Sequence, residues 1–156
     1  MKNALTRPSV TLQALAAVIW AGMLVPKASL AFSFTPTPAE WATWPDYCKA
    51  RYVSMDIGKR SPYASMFPPA GVQRWKNLIG EETFTYVHHY CLGMVLLQRA
   101  NVAPSEQQRT FLLRNAESEC RFSFDRTPPT SPLYRQIAMN LKLVQAMLGT
   151  TRAVSP

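Results

Sequence analysis

The fold of this chain is decided by the stretch YVHHYCLGMVLLQRA, residues 86–100. As a helix it is apolar on nearly every side, and a helix of that kind is buried in the centre of a domain. It also contains both histidines of the chain and one of its three cysteines. Three roles are therefore open for His88, His89 and Cys91, namely a metal site, a redox site or a packing seam.

The flanking sequence predicts an all-α fold. The chain has six glycines in 156 residues and lacks regular runs of alternating β-branched residues, which disfavours a turn-rich sheet protein. Caps, prolines and apolar spacing predict the main helices, which are residues 46–57, 72–79, 83–100, 105–122 and 131–149. We expect one domain over residues 32–149 and a flexible tail over residues 150–156.

Local signals set the ends of several helices. Thr37, Pro38 and Glu40 form a complete helix start, with a capping threonine, a proline at the first position and a glutamate at the third. Pro45 breaks that short helix, and we expect Gly58 to end the next one. The last predicted helix carries an apolar seam at spacings of four and three, made of Leu133, Ile137, Leu141, Val144 and Leu148.

Residues 1–31 have the pattern of a cleaved signal peptide. A basic start with Lys2 and Arg7 precedes an apolar run over residues 14–25, and the segment ends at Ala31 in a small-residue site suited to signal peptidase. The apolar run is shorter than the roughly 20 residues that a membrane-spanning helix needs. We therefore expect a periplasmic or secreted protein with no transmembrane segment after cleavage.

The charge pattern disfavours a nucleic-acid-binding protein. Removal of Lys2, Arg7 and Lys27 lowers the net charge from +8 to about +5, and the remaining basic residues are scattered among acidic ones. The sequence also lacks a Gly-x-Ser-x-Gly elbow and a phosphate-binding loop, and its closely spaced carboxylates, Glu117 and Glu119, are expected on a helix surface. These features predict a protein that is not an enzyme and carries no cofactor.

The second half of the chain resembles the tetratricopeptide-repeat family, whose unit is a pair of antiparallel helices with small residues at the contact. The matching positions are Leu92, Gly93, Ala116 and Pro128. The resemblance implies about four to six helices, arranged as antiparallel hairpins in a right-handed stack. Gly93 is then the place where a neighbouring helix approaches closely.

Two segments are similar to a group of exported bacterial repeat proteins that usually scaffold assemblies. The first is YCKAR at residues 47–51, and the second is HHYCLG at residues 88–93, which is followed by QRA at residues 98–100. The resemblance implies an adaptor that binds protein partners within a larger envelope or secreted assembly.

The three cysteines of an exported protein allow three single disulfides and leave one thiol over. Among these pairings we expect Cys48–Cys91. Both cysteines follow a tyrosine in helices that should pack together, and both match the pattern of the exported group. Cys120 is then a buried free thiol.

A partner surface can be placed by analogy with stacked hairpins, in which the first helix of each pair lines the concave side. The residues expected there are Tyr90, Met94, Gln98, Arg135, Met139 and Lys142. The competing interpretation is that Tyr90 and Met94 belong to the core. The open face of the last helix offers a second surface, and another copy of the chain is one candidate to cover it.

The two histidines fit more than one role. His88 and Cys91 are three residues apart and share a helix face, so together with Cys48 they could bind a metal or cofactor in a small periplasmic protein. Otherwise both histidines help to pack a buried helix, or they make a pH-dependent contact.

Overall fold

Seven α-helices and one short 3-10 turn, Ala64–Met66, form the structure, a computed structural model that describes residues 34–154 and the side chains up to residue 149. The helices are α1 (Pro38–Thr43), α2 (Asp46–Ser54), α3 (Asp56–Lys59), α4 (Pro69–Ile79), α5 (Glu81–Asn101), α6 (Glu106–Phe124) and α7 (Tyr134–Val154). Residues 34–154 contain no strand, which confirms the all-α prediction. The predicted signal peptide lies outside the described residues.

One helix more than expected is present because the predicted helix over residues 46–57 is broken. The backbone is extended at Met55, with ψ at 157°, so that α2 ends at Ser54 and α3 folds back on it. Gly58 lies inside α3 and does not end a helix, which corrects the prediction. A Cβ at Gly58 would overlap the carbonyl group of Tyr52, so only glycine permits this close approach.

The predicted helix ends at residues 79 and 149, each at or next to a glycine, have opposite outcomes. Gly80 separates α4 from α5 with φ at 82°, a left-handed conformation that glycine adopts without strain. Gly149 has no such conformation, and α7 continues through it to Val154. The predicted flexible tail over residues 150–156 is therefore helical in its described part. A helical glycine costs about 1 kcal/mol relative to alanine, which is too little to end a helix.

The last three helices pack as antiparallel neighbours. Along α5 and α6, the rings of Tyr86 and Phe122 lie 6.1 Å apart, while further along α5 Gly93 contacts an earlier part of α6, at residues 116–120. Along α6 and α7, the rings of Phe124 and Tyr134 lie 5.1 Å apart, and Gln145 Nε2 donates to Glu117 Oε1 at 3.0 Å. In both pairs a later position on one helix meets an earlier one on the other, as a hairpin requires.

The N-terminal helices close one side of α5. The predicted capping box is present at Thr37, and Trp41 of α1 stacks on Tyr63 with 4.4 Å between ring centroids. Arg99 of α5 donates from Nε and Nη2 to the two carboxylate oxygens of Glu40, at 2.7 and 3.0 Å. Burial acts to raise the pKa of Glu40, but Arg99 and Thr37 together hold that pKa below its usual value. α1 is thereby fixed to the end of α5.

None of the helices in the described part is long and apolar enough to cross a membrane.

Candidate partner-binding groove

The cysteines of the apolar helix form a disulfide. The sulfurs of Cys48 on α2 and Cys91 on α5 lie at bonding distance, 2.02 Å, with their Cα atoms 5.7 Å apart, which is the pairing that the sequence predicts. Cys120 is free and buried, also as predicted, and burial raises its pKa to about 12. A bridged cysteine offers no thiolate to a metal. The disulfide is therefore incompatible with the alternative metal site of His88, Cys91 and Cys48.

His89 lies at the contact between α5 and α6, and His88 lies beside it. His89 Nδ1 is 2.6 Å from Glu119 Oε2, and the His89 ring lies 4.1 Å from the ring of Phe122. The ring of His88 lies 4.2 Å from that of His89, although the two residues start on different helix faces. Residues 34–149 contain no cluster of three or more metal-binding side chains. The histidine positions thus fit the packing interpretation, and the role of Glu119, expected on the surface, is to pair with His89.

The surroundings of His88 make the stability of the domain sensitive to acid. Burial lowers the pKa of His88 to about 3, and the charges of His89 and Arg51 act in the same direction. A hydrogen bond that His88 donates to the Thr85 backbone opposes them, and Glu119 faces the neighbouring His89. The unfolded chain, where histidine titrates near 6.5, then binds more protons than the folded one. The stability that neutral His88 contributes is present above pH 6.5 and is lost as the pH falls toward 3.

We expect the free energy of unfolding to fall by about 2 kcal/mol through His88 between pH 7 and pH 4.5. Other carboxyl groups titrate in this range, so the measurement compares the parent protein with His88→Gln by denaturant unfolding at both pH values. The variant should lose less stability on acidification by about that amount. Equal losses in the two proteins would show that His88 is protonated as easily in the folded state as in the unfolded one.

A groove lies on the opposite side of α5, between the α1–α2 turn and α7. It contains a cavity of about 160 Å³ with no charged side chain in its lining. The lining residues, which define the α5/α7 groove, are Thr43, Trp44, Pro45, Tyr47, Cys48, Tyr90, Met94, Gln98, Gln136 and Asn140. Three separate parts of the chain are needed to build it, and the disulfide forms part of its wall.

A network of hydroxyl and amide groups fixes the floor of the groove. Gln136 Nε2 donates to Tyr47 OH at 3.1 Å, and Asn140 Nδ2 donates to Tyr90 OH. Both tyrosines are buried, and burial raises the pKa of each. The network joins α2, α5 and α7, so it sets the position of α7 against the other two helices, and buried networks of this kind favour one arrangement of the elements.

The structure brings together three of the six residues that the sequence predicts for a partner surface. Tyr90, Met94 and Gln98 line the α5/α7 groove, although Tyr90 is only 1% exposed and belongs mainly to its floor. The other three, Arg135, Met139 and Lys142, lie on the solvent face of α7. α7 instead contributes Gln136 and Asn140, two residues that sequence reasoning missed.

The seam of α7 explains this difference. The structure buries all five seam residues predicted from the sequence, Leu133, Ile137, Leu141, Val144 and Leu148. At 100° per residue, this buried stripe places Gln136 and Asn140 at its edge and the predicted trio on the far side of the helix. The spacing of the seam therefore indicated which side of α7 Gln136 and Asn140 occupy, but not which residues they meet.

No protein-family model matches the chain, and neither a curated protein nor a solved structure shows significant similarity to it. The resemblance to tetratricopeptide repeats thus continues to depend on the residues that suggested it.

Proposed function

We propose that this chain is an exported α-helical adaptor, built like a short tetratricopeptide-repeat protein, that binds a protein partner in the α5/α7 groove as part of a larger envelope or secreted assembly. The observation that carries the proposal is the groove itself. Its lining is uncharged and combines the thioether of Met94 with the amides of Gln98, Gln136 and Asn140. Such a lining suits a peptide segment, because amides bond to main-chain groups while a flexible methionine adapts to apolar side chains.

An exposed apolar side chain next to the groove supports the same proposal. Leu143 on α7 is 49% exposed. Leu143 follows Gln136 by seven residues and Asn140 by three, so it extends the same face of α7 beyond the cavity. Large apolar side chains beside a concave surface are typical of protein-interaction sites. A second copy of the chain is one partner that this surface could accept.

Site-specific photocrosslinking in the native organism tests the proposal. A benzophenone amino acid at Gln98, which is exposed at the groove, should yield one discrete crosslinked product. Leu143→Arg should reduce its yield about tenfold or more, because a cation on the apolar rim would have to be desolvated when the partner binds. The mass of the product distinguishes a foreign partner from a second copy.

The matched control is Val102→Arg, which places the same charge on another exposed apolar residue, 81% exposed in the turn between α5 and α6. This variant should crosslink as well as the parent. If both arginine variants reduce the yield equally, or if Leu143→Arg has no effect, the groove is not the binding site.

A further inference from the structure

A second concavity lies where α2, α3, the 3-10 turn and the start of α4 meet, and it is called the loop pocket below. Its volume is about 300 Å³, at the lower end of the range for small-molecule sites. Its apolar wall consists of Val53, Ala64, Phe67, Pro69 and Val72. Two polar side chains, Lys59 and Gln73, complete the lining.

Two glycines give the loop pocket its shape. Gly58 allows α3 to fold tightly against the end of α2, which brings Lys59 next to the wall at Val53. At Gly71, a Cβ would lie 2.7 Å from Cε1 of Phe67, so the absence of a side chain lets the ring rest against the first turn of α4. Phe67 therefore forms a wall of the pocket, and its ring is packed against the core.

The charge at the rim is positive and only loosely compensated. Lys59 Nζ lies 3.3 Å from Asp56 Oδ1, and these side chains are 61% and 87% exposed. Arg60, the next residue, donates from Nε to the main-chain oxygen of Asp56 at 3.1 Å. Lys59 thus pairs with the Asp56 carboxylate, while Arg60 bonds to the main chain. An ion pair this exposed contributes little free energy, so Lys59 can exchange its partner for another anion.

We propose that the loop pocket binds a small amphiphilic carboxylate, with a short alkyl chain or single ring against Phe67 and Val72 and its carboxylate at Lys59. The apolar wall accounts for the body of the ligand. The single cation stands at the rim, where a bound carboxylate remains partly hydrated and avoids the cost of burying a charge. This site is separate from the α5/α7 groove and does not depend on the function proposed for it.

Titration of the ¹⁵N-labelled protein with octanoate, followed by NMR, tests this site. We expect saturable shifts confined to the amides around Val53, Ala64, Phe67 and Val72. Octanol, which has the same chain without the charge, should bind more weakly, and octylammonium should not bind. Lys59→Gln should weaken octanoate binding about two- to fivefold and leave octanol binding unchanged.

Two more variants complete the test. Arg60→Gln removes a neighbouring cation that is not part of the lining, so octanoate should bind to it almost as it does to the parent. Ala64→Phe fills the pocket and should abolish the shifts, provided that its circular dichroism matches that of the parent. Shifts spread over the whole surface, equal binding of octanoate and octanol, or no effect of Lys59→Gln would each overturn the proposal.

Discussion

Replacing Gly93 by leucine should unfold the domain or lower its free energy of unfolding by more than about 3 kcal/mol. A Cβ at Gly93 would already lie 2.6 Å from Cys120 Sγ, 3.1 Å from the Ala116 carbonyl oxygen and 3.3 Å from the Cys120 nitrogen. Two of these three atoms belong to the backbone of α6 and cannot rotate away. Both α6 residues are fully buried, so the remaining leucine atoms have no space to occupy.

Gly149→Leu is the matched control. Gly149 is helical, as Gly93 is, but it is exposed and has nothing within 4 Å of an added Cβ. It should leave stability unchanged or raise it by up to about 1 kcal/mol, since leucine is the better helix former. Denaturant unfolding monitored by circular dichroism measures both variants. If Gly93→Leu unfolds at the same denaturant concentration as the parent, the close contact between α5 and α6 does not exist.

A milder pair of substitutions identifies the contact itself. Gly93→Ala places only the Cβ against α6, and Cys120→Ala removes the sulfur that lies nearest to it. The double variant should be more stable than the sum of the single effects predicts, because the second change relieves part of the clash caused by the first. The relief should be incomplete, since the backbone atoms of Ala116 and Cys120 remain in place. Strict additivity would contradict the geometry.

The sequence allowed local structure and buried faces to be predicted because those signals act over short distances. The capping box at Thr37 and the seam that includes Ile137 depend on residues three or four apart. The break at Met55 escaped prediction because it depends on the contact of Gly58 with the Tyr52 carbonyl group, and not on any breaker at Met55 itself. Apolar periodicity carries no information about such backbone contacts.

The groove was predicted only in part, for a related reason. Its network joins Gln136 to Tyr47, 89 positions apart, and Asn140 to Tyr90, 50 positions apart. A polar residue that will meet a buried tyrosine looks the same in sequence as one that will face water. His89 and Glu119 present the same difficulty, because their pairing across α5 and α6 depends on the rotation of both helices.

Removing the Cys48–Cys91 disulfide should lower the free energy of unfolding by about 4 kcal/mol in the chain-entropy model, since the bridge closes a loop with a sequence separation of 43. The substitutions are Cys48→Ala and Cys91→Ala, because both sulfurs are buried and serine would leave a hydroxyl without water. The free energy of unfolding of this double variant should match that of the reduced parent protein.

Cys120 supplies the internal control for this prediction. Its thiol is buried and its pKa is raised, so it stays protonated and should resist alkylation in the folded protein. Without a reductant, the unfolded protein should therefore react with one equivalent of iodoacetamide, and the folded protein with none.

Peptide mapping that linked Cys120 to either of the remaining cysteines would contradict the structure, because α2 would then be held to α6 or left unattached to α5. The α5/α7 groove, whose wall includes Cys48, requires α2 to stay attached to α5, so reduction should also decrease crosslinking from Gln98.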